Sequence, residues 1–204
     1  MSTRAMKDLL TSLAKEAAKA IRRPAEPQAV MREFCRALSN RLDRPVDLAF
    51  RVFPADLPVP VSGMRIDFGE RSVIVVEQNM HPEAQLVILG HELWHEAQGD
   101  SCYNFAGINA AARAAITDQA ADAIRRAAEQ VLAVDEIPRD AILAVAARSD
   151  LVAAAEMDAE TFGLLFGREA RTWMTGRYAQ DPVNPSTVEG RLNLSLLNRG
   201  GRIL

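Results

Sequence analysis

Apolar positions in the first 42 residues recur at helical spacing and predict two helices. Leu9, Leu13, Ala17 and Ile21 stand four residues apart, so they share one face of a helix. Two prolines then interrupt the pattern, and a second helix is predicted from about residue 28 to 42. The chain therefore opens with a pair of amphipathic helices.

The pattern changes to a two-residue period after residue 45. Residues 46–52 alternate in part, and residues 64–68 alternate between apolar and polar as a half-buried strand does. Residues 72–76 form a near-continuous apolar run, separated from the preceding strand by the turn residues 69–71. The last two segments are therefore predicted to pair as an antiparallel hairpin.

Helical patterns return after residue 81. Pro82 suits the first position of a helix and Glu83 its first turn, and the pattern ends near Gly99. Further helices are predicted over 108–134, 138–147 and 151–178, the last with a break at Gly163 or Gly167.

This order of elements predicts an α+β fold that is mainly helical, with a small antiparallel sheet of two to three strands. The 204 residues suit a single domain. Its expected parts are N-terminal helices (1–45), the hairpin and the helix after it (46–100), a helical part (101–180) and an irregular tail (181–204).

Composition narrows the class of protein. With 49% hydrophobic and 25% charged residues the chain is typical of soluble globular proteins, and its net charge of −3 does not favour nucleic-acid binding. No signal peptide or membrane-spanning run is expected. Cys35 and Cys102 make no disulfide framework, which favours a reducing cytoplasm.

The run His91-Glu92-Leu93-Trp94-His95 carries the strongest chemical signal, because it reads H-E-x-x-H within a predicted helix. Residues four apart lie on one face of a helix, so both imidazoles can bind one ion. The intervening Glu92 is then placed to act as a general base toward a water that the ion activates. Trp94 is expected in the core. Glu96 is expected in solvent, with the alternative that it orients a ligand histidine.

A catalytic zinc site normally takes a third protein ligand. His81, the remaining histidine, lies about 15 Å away along a continuous helix and is not favoured. Asp158 is the preferred candidate, because it falls inside an apolar stripe where an unpaired carboxylate would be costly. That stripe consists of Leu151, Ala155, Phe162 and Leu165. The alternatives are Glu156, Glu160 and, more remotely, Cys102.

These segments resemble the ImmA/IrrE family of metallo-endopeptidases. The similarity lies in Ser62-Gly63-Met64, the hairpin and the run from Ile88 to His95, over about residues 46–99, and again over 151–165. Family members carry a later motif like E-A-N-x-F-A, whose acidic residue is a zinc ligand. The run from Asp158 to Gly163 is similar to it. The resemblance implies a zincin-like domain in which Zn²⁺ is held by His91, His95 and Asp158.

The expected function is therefore zinc-dependent hydrolysis of peptide bonds with Glu92 as the base. The resemblance further implies limited proteolysis of a partner helix-turn-helix regulator or antitoxin in the cytoplasm, without direct binding of nucleic acid or membrane. The residue that would stabilise the oxyanion is not assigned from the sequence. The candidates are Tyr103, Tyr178, Arg168 and Arg171. Two other hypotheses remain: a zinc-containing interaction protein without turnover, and a metal-free helical protein in which the motif is accidental.

Overall fold

The elements of the structure begin and end close to where the sequence pattern changes. A computed structural model describes residues 3–53, 62–99, 105–106 and 152–176. Its elements are α1 (Thr3–Ala17), α2 (Pro27–Leu42), β1 (Val46–Arg51), β2 (Gly63–Asp67), β3 (Ser72–Glu77), α3 (Pro82–Gln98), β4 (Phe105–Ala106) and α4 (Val152–Arg171). The predicted helices over 108–134 and 138–147, the tail from residue 181, Cys102, Tyr103 and Tyr178 lie outside the described residues.

The two N-terminal helices follow the predicted pattern. α1 buries Met6, Leu9, Leu13 and Ala17, which are spaced three or four residues apart. α2 begins with a proline at its first turn and ends at Asp43, which adopts a left-handed conformation with φ of 52°. Their apolar faces join one core that also takes in residues of the sheet and of α3 and α4.

The four strands of the described residues form one mixed sheet in the order β1-β3-β2-β4. The predicted hairpin is confirmed: β2 pairs antiparallel with β3, with Gly63 opposite Val76. The expectation of a purely antiparallel sheet is wrong, because β1 runs parallel to β3 from Val46 opposite Ser72 to Arg51 opposite Glu77. Alternation in the sequence identifies a strand but does not say which neighbour it pairs with. The α+β class itself is confirmed.

Helices α3 and α4 approach each other closely, and glycines make this approach possible. A Cβ atom on Gly163 would lie 2.6 Å from the carbonyl oxygen of Val87. A Cβ on Gly90 would lie 2.7 Å from the Cβ of Phe166. The expected break at Gly163 or Gly167 does not occur, because α4 is continuous through both. These glycines therefore permit close packing of the backbones.

Aromatic side chains hold the far end of α4 in place. Phe34 of α2 contacts Phe166 edge-on at 4.8 Å between ring centroids and Trp173 at 5.1 Å. Beyond the helix, the Ala25 N–H donates to the Trp173 carbonyl oxygen at 2.8 Å. The segment after α4 is thus fastened to the linker between α1 and α2. No helix among the described residues is long and apolar enough to cross a membrane.

We expect Gly163→Ala to destabilise the fold by about 1–3 kcal/mol, because the added methyl group meets backbone atoms of α3 that cannot turn aside. For a chain of this length that loss lowers Tm by roughly 3–10 °C. The matched control is Leu164→Ala on the same helix, where the side chain is 65% exposed. Thermal unfolding followed by circular dichroism compares them, and equal Tm values for the two variants would contradict the close approach.

Candidate metal centre

Helix α3 brings His91 and His95 to one point. The two residues are one helical turn apart, and their Nε2 atoms lie 3.2 Å from each other. Both side chains are buried, His91 at 5% exposure and His95 at 0%. The helix ends three residues beyond His95, where Gly99 takes the left-handed C-cap conformation with φ of 68°. The predicted pair of imidazoles thus faces a common position inside the protein.

The carboxylate of Glu156 on α4 completes the group. Its Oε2 lies 3.4 Å from Nε2 of His91, and its Oε1 lies 3.4 Å from Nε2 of His95. Glu156 is itself only 4% exposed. The crossing of α3 and α4 at Gly163 places it there, because Glu156 stands seven residues before Gly163, two helical turns away on the same face.

The spacing of these three side chains fits a metal ion. Zinc bonds of about 2.0–2.1 Å at tetrahedral angles place neighbouring ligand atoms roughly 3.3–3.4 Å apart. The observed separations of 3.2, 3.4 and 3.4 Å agree with that value. Two imidazole nitrogens and a carboxylate oxygen are also a donor set that zinc accepts. His91, His95 and Glu156 could therefore bind a metal ion.

Asp158, the carboxylate preferred from the sequence, is not part of this group. It is half-buried, two residues beyond Glu156, and Glu160 is exposed. The buried face of α4 consists of Glu156, Ala159, Phe162, Gly163, Phe166, Gly167 and Ala170. The apolar stripe expected from the sequence lies roughly 100° around the helix axis from this face, which is the angle between successive residues. Leu165, which defined that stripe, is only partly buried, whereas small residues mark the true contact face.

The other sequence candidates lie elsewhere. His81 is the exposed residue that precedes the first turn of α3. Arg171 donates to Glu83 at 2.9 Å, at the start of α3 and about 12 Å along that helix from His91. Arg168 is exposed on α4, about 18 Å along its axis from Glu156. Neither arginine is placed to stabilise charge at the metal centre.

Glu92 lies in the same buried region, with an exposure of 0%. Burial raises the pKa of its carboxyl group, and the neighbouring Glu156 adds to this. His91, His95 and the Arg65 guanidinium oppose the shift. The residue predicted as a general base is therefore electrostatically coupled to all three candidate ligands, and a raised pKa suits a group that must both take and return a proton.

A second group of buried charges lies one residue beyond His95. Glu96 is 2% exposed, and its two carboxylate oxygens accept from Arg44 Nη1 at 2.6 Å and Arg65 Nη1 at 2.8 Å. Arg44 also pairs with Asp67. The expectation that Glu96 is solvated is wrong, because these two arginines from the sheet side of the molecule cover it. The network ties the last turn of α3 to β2 and to the segment before β1.

Sequence reasoning missed this network for a simple reason. Glu96 follows His95 on a helix that is buried nearly all round, from Gln85 to Glu96. An acidic residue at such a position needs a cationic partner. Arg65 sits in the alternating strand β2 at a position whose neighbours Met64 and Ile66 are also buried. The alternating pattern of β2 therefore does not indicate that Arg65 is a buried cation.

The chain was compared with protein-family models, with curated proteins and with solved structures, and none of them matches. The resemblance to the ImmA/IrrE family therefore rests on the quoted motifs alone.

Replacing Glu156 and Asp158 of α4 in turn separates the observed group from the sequence prediction. We expect Glu156→Gln to weaken zinc binding by more than the roughly 10–100-fold that follows loss of a residue merely supporting a ligand. Asp158→Asn is the matched control and is expected to change affinity by less than about twofold, since it is outside the group. Competition with a chromogenic chelator, on full-length protein without an affinity tag, measures both. Loss of zinc by the Asp158 variant alone would restore the sequence prediction.

The charge network makes a separate prediction about stability. Glu96→Gln leaves the buried Arg65 and the partly buried Arg44 without their shared carboxylate and is expected to cost about 3 kcal/mol. As a control, Asp8→Asn breaks the exposed pair with Arg4 and is expected to cost less than about 0.5 kcal/mol. Urea unfolding gives both values. A small effect of Glu96→Gln would show that the network does not stabilise the end of α3.

Proposed function

We propose that this chain is a zinc-dependent endopeptidase of a zincin-like kind. The observation that supports this proposal most directly is the combination in one buried place of three side chains at metal-ligand spacing with Glu92 beside them. A structural site does not require a further buried carboxyl group beside its ligands, whereas hydrolysis needs a proton acceptor there. The H-E-x-x-H spacing supplies both roles in five residues.

The protein's own groups would divide the work as follows. His91, His95 and Glu156 would hold the ion, and the ion would supply Lewis acidity to a water and to the scissile carbonyl. Glu92 would accept a proton on its carboxylate oxygen and return it to the departing amine. Arg65 and Glu96 would position α3 without touching the substrate, since both are engaged in the charge network.

The proposed substrate is a partner helix-turn-helix regulator or antitoxin, cut at a limited site in the cytoplasm. This part of the proposal comes from the resemblance to ImmA/IrrE metallo-endopeptidases, carried by the hairpin and the run from Ile88 to His95.

One observation favours a second candidate, a zinc-containing interaction protein without turnover. None of the four residues His91, Glu92, His95 and Glu156 is more than 5% exposed. A catalytic zinc must be reached by its substrate, whereas a structural zinc need not be. The two candidates differ in a measurable property, which is whether the wild-type protein cleaves a substrate.

We expect Glu92→Gln to retain zinc and to lose cleavage by a factor of at least about 100, because an amide cannot accept the proton. The matched control is Glu160→Gln, an exposed glutamate on α4 that is expected to change neither property. The substrates are any helix-turn-helix regulator that a neighbouring gene encodes and a library of proteome-derived peptides, with products read by mass spectrometry.

Two results would decide against the proposal. Normal cleavage by the Glu92 variant would refute the mechanism. Stoichiometric zinc in a wild-type protein that cuts neither the regulator nor the library would favour the interaction protein instead.

A further inference from the structure

A polar groove lies on the β1 edge of the sheet and shares no residue with the candidate metal centre. Its walls come from the outer side of β1, the first turns of α2, and the ends of β3. The polar side chains that line it are Gln28, Arg32, Asp47, Arg51, Arg71 and Gln78.

The floor of this groove is an open strand edge. β1 is the first strand in the sheet order, and no other described strand pairs with its outer side. The carbonyl oxygens of Pro45 and Arg51 accept from β3 and the residue after it, so odd-numbered residues of β1 bond inward. In a parallel ladder the alternate residues, here Leu48 and Phe50, direct their backbone groups outward.

Half of that outward edge is available for strand pairing, because three of the six N–H and carbonyl groups of Val46, Leu48 and Phe50 are already engaged. At its start, the Val46 N–H donates to Ser39 Oγ at 2.9 Å, and the Val46 carbonyl oxygen accepts from the same hydroxyl at 3.4 Å. At its end, the Phe50 carbonyl oxygen accepts from Arg51 Nη1 at 2.9 Å. Between them the edge presents the N–H and carbonyl of Leu48 and the N–H of Phe50. A donor, an acceptor and a second donor in this order are what an added strand requires.

Positive charge surrounds this edge. Among the residues that the structure describes, three arginines and one acidic residue, Asp47, line the groove, although the whole chain carries a net charge of −3. Arg71 and Asp47 lie 3.7 Å apart with side chains 44% and 55% exposed, so that pair is screened by water. Arg32 lies over the Phe50 ring at 5.5 Å and keeps its guanidinium at the groove wall. The groove therefore complements an acidic ligand.

We propose that this groove binds an extended acidic peptide segment of a partner protein by strand addition to β1. Backbone hydrogen bonds to Leu48 and Phe50 would align the segment, and Arg32 and Arg71 would select for acidic side chains. A peptide fits better than a nucleic acid, because phosphates and bases do not match the alternating donors and acceptors of a strand edge. Binding here is independent of zinc chemistry; only its use as a substrate exosite rests on the proposed peptidase function.

The test measures fluorescence anisotropy of labelled peptides with the full-length wild-type protein. The probe is a peptide of about eight residues that alternates Glu and Val, which suits an extended strand. Two further versions carry N-methyl groups on either the odd or the even amides. Since only one edge of an added strand faces β1, one methylated series is expected to lose binding and the other to keep it. Mass spectrometry confirms that the peptides stay intact.

Variants of the protein test the contribution of the groove's positive charge to peptide binding. Arg71→Glu is expected to weaken binding of the Glu-Val peptide about tenfold, as loss of a charge-assisted contact does. Arg4→Glu is the matched control, an arginine whose side chain is 90% exposed on α1 and outside the groove. It is expected to leave the affinity unchanged, and circular dichroism verifies that both variants fold.

Several outcomes would overturn the proposal. Absence of saturable binding, equal binding of a Lys-Val peptide, or equal binding of both N-methylated series would exclude strand addition by an acidic segment. Tighter binding of a single-stranded oligouridine RNA than of the acidic peptide would assign the groove to nucleic acid instead.

Discussion

The close approach of α3 and α4 is the constraint on which the candidate site depends. Gly90, Gly163 and Gly167 remove the side chains that would hold the two backbones apart. With the axes this close, the carboxylate of Glu156 reaches both imidazoles at 3.4 Å. Any larger separation would move the carboxylate out of reach of an ion held by His91 and His95. The geometry of the candidate ligands therefore depends on three glycines at the contact between the helices.

Burial of so many ionisable groups in one region is costly unless their charges are balanced. Glu96 is balanced by Arg44 and Arg65, both within hydrogen-bond distance. Glu92 lies one helical turn before Glu96 on the same face of α3, and Arg65 as well as the two imidazoles favours its charged form. Glu156 lies against the two imidazoles. A divalent cation held by His91, His95 and Glu156 would balance the charge of the Glu156 carboxylate.

The sequence was informative wherever local spacing decides the structure. The period of α1, the turn at Gly69 and the i, i+4 relation of His91 and His95 are all local, and the structure contains them as expected. It was less informative where two distant segments meet. The parallel pairing of β1 with β3 depends on a crossover that alternation cannot reveal. Asp158 was preferred to Glu156 on two grounds: large apolar residues were expected to mark the contact face of α4, and the run from Asp158 to Gly163 is similar to the ImmA/IrrE motif that carries a ligand.

In fact that face is marked by small residues. Ala159, Gly163 and Gly167 recur at a spacing of four and lie against α3. A helix that must pack closely against another carries such residues at the contact, and large ones such as Leu164 can remain exposed. Counting from these small residues, Glu156 and not Asp158 falls in the stripe. The burial of Glu96 also depends on distant parts of the chain, because the arginines that pair with it are 31 and 52 residues away in the sequence.

X-ray absorption at the zinc K edge of the purified, untagged protein shows whether a metal ion is held by two imidazoles and the carboxylate of Glu156. Only nitrogen and oxygen ligands are expected, at about 2.0–2.1 Å, together with the outer-shell scattering of two imidazoles. The signal is expected to change in Glu156→Gln but not in Asp158→Asn. A sulfur ligand at about 2.3 Å, or a protein that retains no zinc, would contradict zinc binding by these three residues.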